Sequence, residues 1–142
     1  MSRGVQYLLD TNVISETRKK QADRQVMSFL SAADPSSLNL SVLSLGELRK
    51  GIALKKASDP EMARQLETWV EGLEYSFADR ILVIDAAVAK VWGDLSAQRS
   101  RPVIDTLLAA TAIVHGLTFV TRNISDVEGT NVKVFDPWKR QA

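Results

Sequence analysis

The sequence predicts an α/β fold: a short, mostly parallel sheet with helices on both faces. Short apolar runs alternate along the chain with longer stretches whose apolar residues recur at helical spacing, as in βαβ units. The 142 residues suit a single domain spanning 1–142, and neither a repeat nor a linker interrupts them. With 45% hydrophobic and 25% charged residues, the composition is that of an ordinary globular protein.

Five apolar runs bounded by polar or turn-forming residues predict the strands. The most strand-like of them is "RILVID", and "LNLSV" shows the alternation expected of a strand. In chain order the predicted strands cover residues 5–9, 38–42, 80–85, 117–121 and 132–135.

Helix signals lie between these runs. The second helix begins near Asp23 and ends at "DPSS", and Asp59 followed by Pro60 marks another start. Gly116 is a natural helix end. Six helices are predicted. The first follows Asp10, the second runs from Asp23 to Ala33, and the third carries Leu45, Leu48 and Ile52 and ends at about Lys56. The fourth begins at Asp59, the fifth carries Val88 to Leu95, and the sixth begins after Pro102.

Composition restricts the chemistry. The chain has no cysteine, which excludes thiol nucleophiles and thiolate zinc sites, and its single histidine, His115, argues against a catalytic triad. Acid–base or metal chemistry must therefore depend mainly on the 17 carboxylates. No signal peptide or apolar run of membrane-spanning length is present, so we expect a cytoplasmic protein.

The net charge of +1 conceals local basic clusters that would suit nucleic-acid phosphates, although a solvated helix face is the commoner meaning of such runs. Trp69 and Trp92 lie on apolar helical faces and are interpreted as core residues. His115, beside Gly116, is interpreted as structural. The basic candidates are Arg18, Lys19, Arg49, Lys50 and Arg122.

Four carboxylates lie where a site would form, and each also has a local explanation. Asp10 ends the first strand but can cap the following helix, and Ser44 with Glu47 matches a capping box after the second strand. Asp105 opens an almost wholly apolar helix, where the helix dipole favours it. Asp126 follows another strand, where a lone aspartate is usually a turn former.

Local explanations do not account for all four acids reaching one edge of the sheet. Two such charges about 5 Å apart repel by roughly 3 kcal/mol at an effective dielectric near 20. The cluster therefore needs protonation or a cation, and oxygen ligands without histidine or cysteine favour Mg²⁺ or Mn²⁺. The residues alone thus predict metal-dependent phosphate or phosphodiester chemistry.

Five sequence blocks in order resemble the PIN-domain family, in particular the VapC-type and FitB-like toxins of bacterial type II toxin–antitoxin systems. The similarity covers the chain from about Leu8 to Trp138. The blocks are "LLDTNVISE", "SVLSLGELRKGI", "RILVIDAAVAKVWGDL", "DTLLAATAIVHGLTFVTRN" and "VKVFDPW".

This resemblance implies an α/β/α sandwich and a Mg²⁺- or Mn²⁺-dependent endoribonuclease that cleaves RNA phosphodiester bonds. Asp10, Glu47 and Asp105 would hold the metal. The resemblance also implies a toxin homodimer and a small VapB- or FitA-like antitoxin whose tail covers the active groove. Thr11, Asn12 and Thr121 fall at positions that usually support the site through hydrogen bonds.

The fourth acid departs from the pattern. Some relatives have aspartate directly after "TR", where this chain has Asn123, and the next acid is Asp126. Either Asp126 is the fourth ligand, or three acids and an amide form the site.

Two other functions remain open: a non-catalytic PIN-like binding protein, and a haloacid-dehalogenase-type phosphatase, whose D-x-D motif is broken here by Asn12.

Overall fold

The computed structural model describes residues 4–139 and contains a five-stranded parallel sheet in the order β3-β2-β1-β4-β5. All five predicted strands are present. Their bounds are β1 Tyr7–Leu9, β2 Leu38–Ser41, β3 Ile81–Leu82, β4 Thr118–Val120 and β5 Val134–Phe135.

Six α-helices connect and cover these strands within the described residues, and two 3₁₀ turns, Pro35–Ser37 and Ile124–Val127, complete the regular structure. None of these helices is long and apolar enough to cross a membrane. Their bounds are α1 Thr11–Glu16, α2 Arg24–Ala32, α3 Val42–Ser58, α4 Pro60–Ser76, α5 Ala86–Gln98 and α6 Val103–His115.

Alternating strand residues build the two sides of the sheet. Leu8 of β1 and Phe119 of β4 pack with α6 on one face, and Leu9 and Val120 pack with α1 and α2 on the other. Helix α5 lies against α6, where Val88, Leu95 and Ala110 form a separate cluster. The predicted sandwich of helices around a parallel sheet is therefore confirmed.

The strands are shorter than their apolar runs. Val5 was predicted to belong to β1, but it precedes the strand and its side chain is 59% exposed. Val42 was predicted to belong to β2, but Ser41 caps α3 and Val42 is already helical. Only Ile81 and Leu82 of the run 80–85 pair with β2, because Asp85 caps α5 soon afterwards.

Strand order places a crevice beside β1. The chain runs from β1 to β2 on one side of the sheet, and β4 later adds to the other side of β1. Side chains that follow β1, β2 and β4 therefore meet where the strand order changes direction. Open α/β sheets bind ligands at such positions, beyond the carboxyl ends of the strands.

Candidate metal-binding carboxylate site

Asp10 is the most buried of the four acids, with 4% of its surface exposed. Its carboxylate caps α1 by accepting a 2.7 Å hydrogen bond from the Thr11 backbone N–H. The other oxygen, Oδ2, accepts a 2.7 Å hydrogen bond from the Thr121 hydroxyl, and the Asp10 N–H donates to Val120 in β4. Asp10 is thus both a helix cap and a member of the cluster, so the two interpretations are not exclusive.

Glu47 approaches Asp10 through Thr11. The oxygen Oε1 of Glu47 lies 2.6 Å from the Thr11 hydroxyl, which also lies 3.0 Å from the Ser44 hydroxyl. The predicted capping box at Ser44 and Glu47 is wrong, because Ser41 and not Ser44 is the N-cap of α3. Ser44 and Glu47 instead lie one turn apart inside the helix, on the side that faces α1.

Sequence reasoning therefore missed Ser44 as a residue of this site. The spacing of three residues between Ser44 and Glu47 was recognised, but it was assigned to a helix end. Moving the helix start to Ser41 would have placed both side chains on the same face of α3.

Asp105 and Asp126 form the second half of the cluster. Asp105 lies in the first turn of α6, and its side chain is hydrogen-bonded to that of Asp126 in the 3₁₀ turn. Burial raises the pKa of Asp105 from 3.8 to about 6, and the charges of Asp10, Asp126 and Glu47 contribute to the rise. The structure thus places the Asp126 side chain beside that of Asp105.

Burial is also the main reason that the pKa of Asp10 lies above its usual value. The hydrogen bonds from Thr121 and Thr11 oppose this rise, whereas the charges of Glu47 and Asp126 reinforce it. The charges of Glu47 and Asp126 therefore raise the pKa of both Asp10 and Asp105. This shared influence is the electrostatic sign of a single cluster.

The predicted supporting residues differ in what they contact. Thr121 joins Asp10 to the following loop, since its hydroxyl oxygen also accepts a 3.0 Å hydrogen bond from the Asn123 backbone N–H. The Asn123 residue itself is exposed. The Asn12 oxygen Oδ1 is buried and has no hydrogen-bond partner among residues 4–139, so no contact with the acids supports its predicted role.

The acids form two pairs rather than a closed cage. Thr11 bridges Asp10 and Glu47, and Asp105 contacts Asp126. Within the described chain, no group of three or more Asp, Glu or His side chains is close enough to hold one ion together. An ion here would therefore be held directly by one or two carboxylates and by the others through water.

A groove of about 530 Å³ adjoins Thr11 and Glu47. Its lining is mainly apolar and comes from α1, α3 and α4. The Arg18 guanidinium lies 5.5 Å from the centre of the Trp69 ring inside this groove, so the interpretation of Trp69 as a core residue is incomplete. The ring packs on the core with one part and lines the groove with another.

The predicted basic residues occupy different environments. Arg49 is ion-paired with Glu67 and Glu74 of α4, and Lys19 pairs with Glu16 at 2.9 Å. Arg122 is exposed, and its guanidinium lies 4.9 Å from the centre of the Trp138 ring.

Two further sequence interpretations concern α5 and α6. Trp92 packs with the α5–α6 cluster as predicted, although its buried indole N–H has no partner among residues 4–139. His115 is exposed at the end of α6, and Gly116 follows it with a left-handed φ of 67°. Trp92 therefore belongs to the core as interpreted, and among residues 4–139 neither Trp92 nor His115 is hydrogen-bonded to the four acids.

Comparison with known proteins finds relatives that cover nearly the whole chain. The chain is 36% identical over 137 residues to "VapC ribonuclease Y4jK" of Sinorhizobium fredii, covering 93% of this chain and 97% of that protein. It is 33% identical to "Toxin FitB" of Neisseria gonorrhoeae over 138 residues, covering 92% of this chain and 97% of that toxin.

Solved structures give the same result. The "Crystal Structure of FitAcB from Neisseria gonorrhoeae" contains a chain with a TM-score of 0.86 and 33% identity, covering 93% of this chain and 98% of that one. A chain in "Structure of FitAB bound to IR36 DNA fragment" has a TM-score of 0.87 and 30% identity, covering 96% and 98%. The family model that describes the PIN domain matches residues 7–125. The chain therefore belongs to the PIN-domain family.

Proposed function

We propose that this protein, acting as a single domain over residues 1–142, is a metal-dependent endoribonuclease and the toxin of a type II toxin–antitoxin module. The observation that carries the proposal is the cluster of Asp10, Glu47, Asp105 and Asp126 at the crevice beside β1. A protein that only binds a partner has little physical reason to place four acids together where burial and neighbouring charge raise the pKa of Asp10 and of Asp105.

Mg²⁺ or Mn²⁺ fits this donor set. The available ligands are carboxylate oxygens without a nearby thiolate or imidazole, which is the chemistry that hard divalent cations prefer. An ion that keeps several waters needs only one or two direct carboxylates, as the paired arrangement of the acids provides. Asp10, Glu47, Asp105 and Asp126 would hold it.

When bound, such an ion would activate water and neutralise the charge that develops on the RNA phosphodiester. The chain's own residues prepare the site for it. Thr121 and the Thr11 N–H fix both oxygens of Asp10, and the Thr11 hydroxyl fixes Glu47. A bound cation would displace the proton that the hydrogen bond between Asp105 and Asp126 requires.

The names of the relatives support the toxin assignment. One is named a ribonuclease and another a toxin, and the solved relatives include a FitAB complex. We therefore propose a VapB- or FitA-like antitoxin as the partner, with its tail in the groove beside Glu47, and a homodimer as the toxin's own assembly. The substrate is RNA, for which Arg18 and Arg122 provide exposed positive charge.

The alternatives have less support. A haloacid-dehalogenase-type phosphatase requires an acid two residues after Asp10, where this chain has Asn12. The family model that matches the chain is that of the PIN domain. A non-catalytic PIN-like binding protein remains the competing function, and the following experiment distinguishes it.

Replacing Asp10 by Asn removes a charge from the centre of the cluster and should lower RNA cleavage by roughly 100-fold or more, since several kcal/mol of charge stabilisation is lost. Growth of cells that express the variant without antitoxin, and RNA integrity with purified protein and Mg²⁺ or Mn²⁺, measure the effect. Asp85→Asn is the matched control, because Asp85 is also a helix N-cap but lies outside the cluster. Equal growth arrest by wild type and Asp10→Asn, or no cleavage by wild type, contradicts the nuclease.

The fourth acid can be tested separately. Asp126→Asn should reduce cleavage by about 10-fold or more, because Asp126 contacts Asp105, whereas Asn123→Ala should have a smaller effect, because the contact of Asn123 with Thr121 is made by its backbone. Initial cleavage rates under the same metal conditions compare the two variants. A larger loss for Asn123→Ala would assign the fourth position to the amide instead.

The pKa of Asp105 predicts how stability depends on pH. Its carboxyl has a pKa of about 6 in the folded protein against an ordinary value of 3.8, so the folded state holds the proton to higher pH than the unfolded state does. The free energy of unfolding of the metal-free protein should therefore fall as the pH rises from about 5 to about 7. The pKa values of Glu16 and Asp34 are lowered, so these two groups change the free energy of unfolding only below this pH range.

Urea unfolding of the metal-free protein across this range measures the effect, and Asp105→Asn should flatten the dependence. Added Mg²⁺ should stabilise the wild type more at pH 7.5 than at pH 5, because protons compete with the cation for the acids. A pH dependence that is the same in wild type and Asp105→Asn contradicts the assignment.

A further inference from the structure

Ser44 has a contact that the proposed nuclease mechanism does not yet use. Its side chain is fully buried in the first turns of α3, and its hydroxyl oxygen lies 3.0 Å from that of Thr11. The Thr11 hydroxyl lies 2.6 Å from Oε1 of Glu47, which makes no other hydrogen bond within the described part of the chain. Three side chains from two helices thus form a continuous chain of contacts.

The number of available protons determines which hydroxyl donates in each of these two hydrogen bonds. A hydroxyl group carries one proton, and an ionised carboxylate can only accept. Because the shorter contact is with the carboxylate, the Thr11 proton belongs to the hydrogen bond to Glu47. The contact between Ser44 and Thr11 then requires the Ser44 hydroxyl to donate to the Thr11 oxygen. Hydrogen bonds in such a chain polarise and strengthen one another.

Thr11 occupies a special position, because it contacts two acids at once. Its backbone N–H donates to Asp10 and its hydroxyl donates to Glu47. Donation from Ser44 selects the Thr11 rotamer in which the hydroxyl faces Glu47. Glu47 is an exposed residue, and its long side chain would otherwise sample many rotamers.

We propose that Ser44 is a positioning residue, which orients Thr11 so that Thr11 holds one oxygen of Glu47 and leaves the other free for a divalent cation. This inference rests on the proposed metal-dependent function. It adds to that function a residue that never touches the ion or the RNA and acts only through Thr11.

Mn²⁺ binding to the full chain, measured by titration calorimetry at pH 7.5, tests the proposal without relying on activity. Ser44→Ala and Thr11→Val should each weaken Mn²⁺ binding by about 10-fold, the size expected when a residue that orients a ligand is removed. Thr11→Ser keeps the hydroxyl and should restore most of the affinity. Ser37→Ala and Thr111→Val remove buried hydroxyls far from the acids and should leave the affinity unchanged.

Double variants separate positioning from general loss of structure. Ser44→Ala should weaken binding by less than about 2-fold when it is added to Thr11→Val or to Glu47→Gln, because its only route to the ion is then absent. Thermal unfolding of each metal-free variant confirms that it is folded, and the comparison of Thr11→Val with Thr11→Ser carries the test if Ser44→Ala does not fold.

The possible failures are distinguishable. If the wild type binds Mn²⁺ and cleaves RNA but Ser44→Ala binds Mn²⁺ equally well, only the role of Ser44 is overturned. The same conclusion follows if the effect of Ser44→Ala persists in full in Thr11→Val or Glu47→Gln. If the wild type binds no Mn²⁺, both this inference and the proposed metal-dependent function are overturned.

Discussion

Repulsion among four carboxylates is the constraint that explains how the rest of the site is built. Parallel strands end at the same edge of the sheet, and the order β3-β2-β1-β4-β5 brings the residues after β1, β2 and β4 to one crevice. Burial in that crevice, together with the charges of the neighbouring acids, raises the pKa of Asp10 and of Asp105. Hydrogen bonds from Thr121 and Thr11 offset part of this cost, and a divalent cation would offset the rest.

The hydrogen-bond donors to the acids come from the scaffold itself. Thr121 follows β4 and binds Asp10, so the pairing of β1 with β4 determines where the first acid lies. Thr11 opens α1 and Ser44 lies in α3, so the packing of these helices determines where Glu47 lies. The core formed by Leu8, Phe119 and α6 likewise positions Asp105. Sheet topology and helix packing therefore determine the geometry of the site.

Much of this arrangement was predictable from sequence. Five strands, the helix starts at Asp59 and after Pro102, and the left-handed end at Gly116 follow from local patterns, because the residues that cause them are adjacent in the chain. The contact between Asp105 and Asp126 and the role of Ser44 depend on packing between distant segments, which periodicity does not reveal. The error at Ser44 arose because a serine three residues before a glutamate fits both a helix start and a helix face. The predicted strands were longer than the observed ones for a similar reason, because the apolar runs continue beyond the strands into loops and helices.

The central claim is that these four acids form one site for a divalent cation. The most direct test is a crystal of the protein grown with Mn²⁺, with anomalous diffraction measured at the manganese absorption edge. The account predicts a manganese peak in the crevice beside β1, within coordination distance of at least one of Asp10, Glu47, Asp105 and Asp126, with the others linked to it through water. A manganese peak bound elsewhere, or no peak while the four acids remain clustered, would contradict the account.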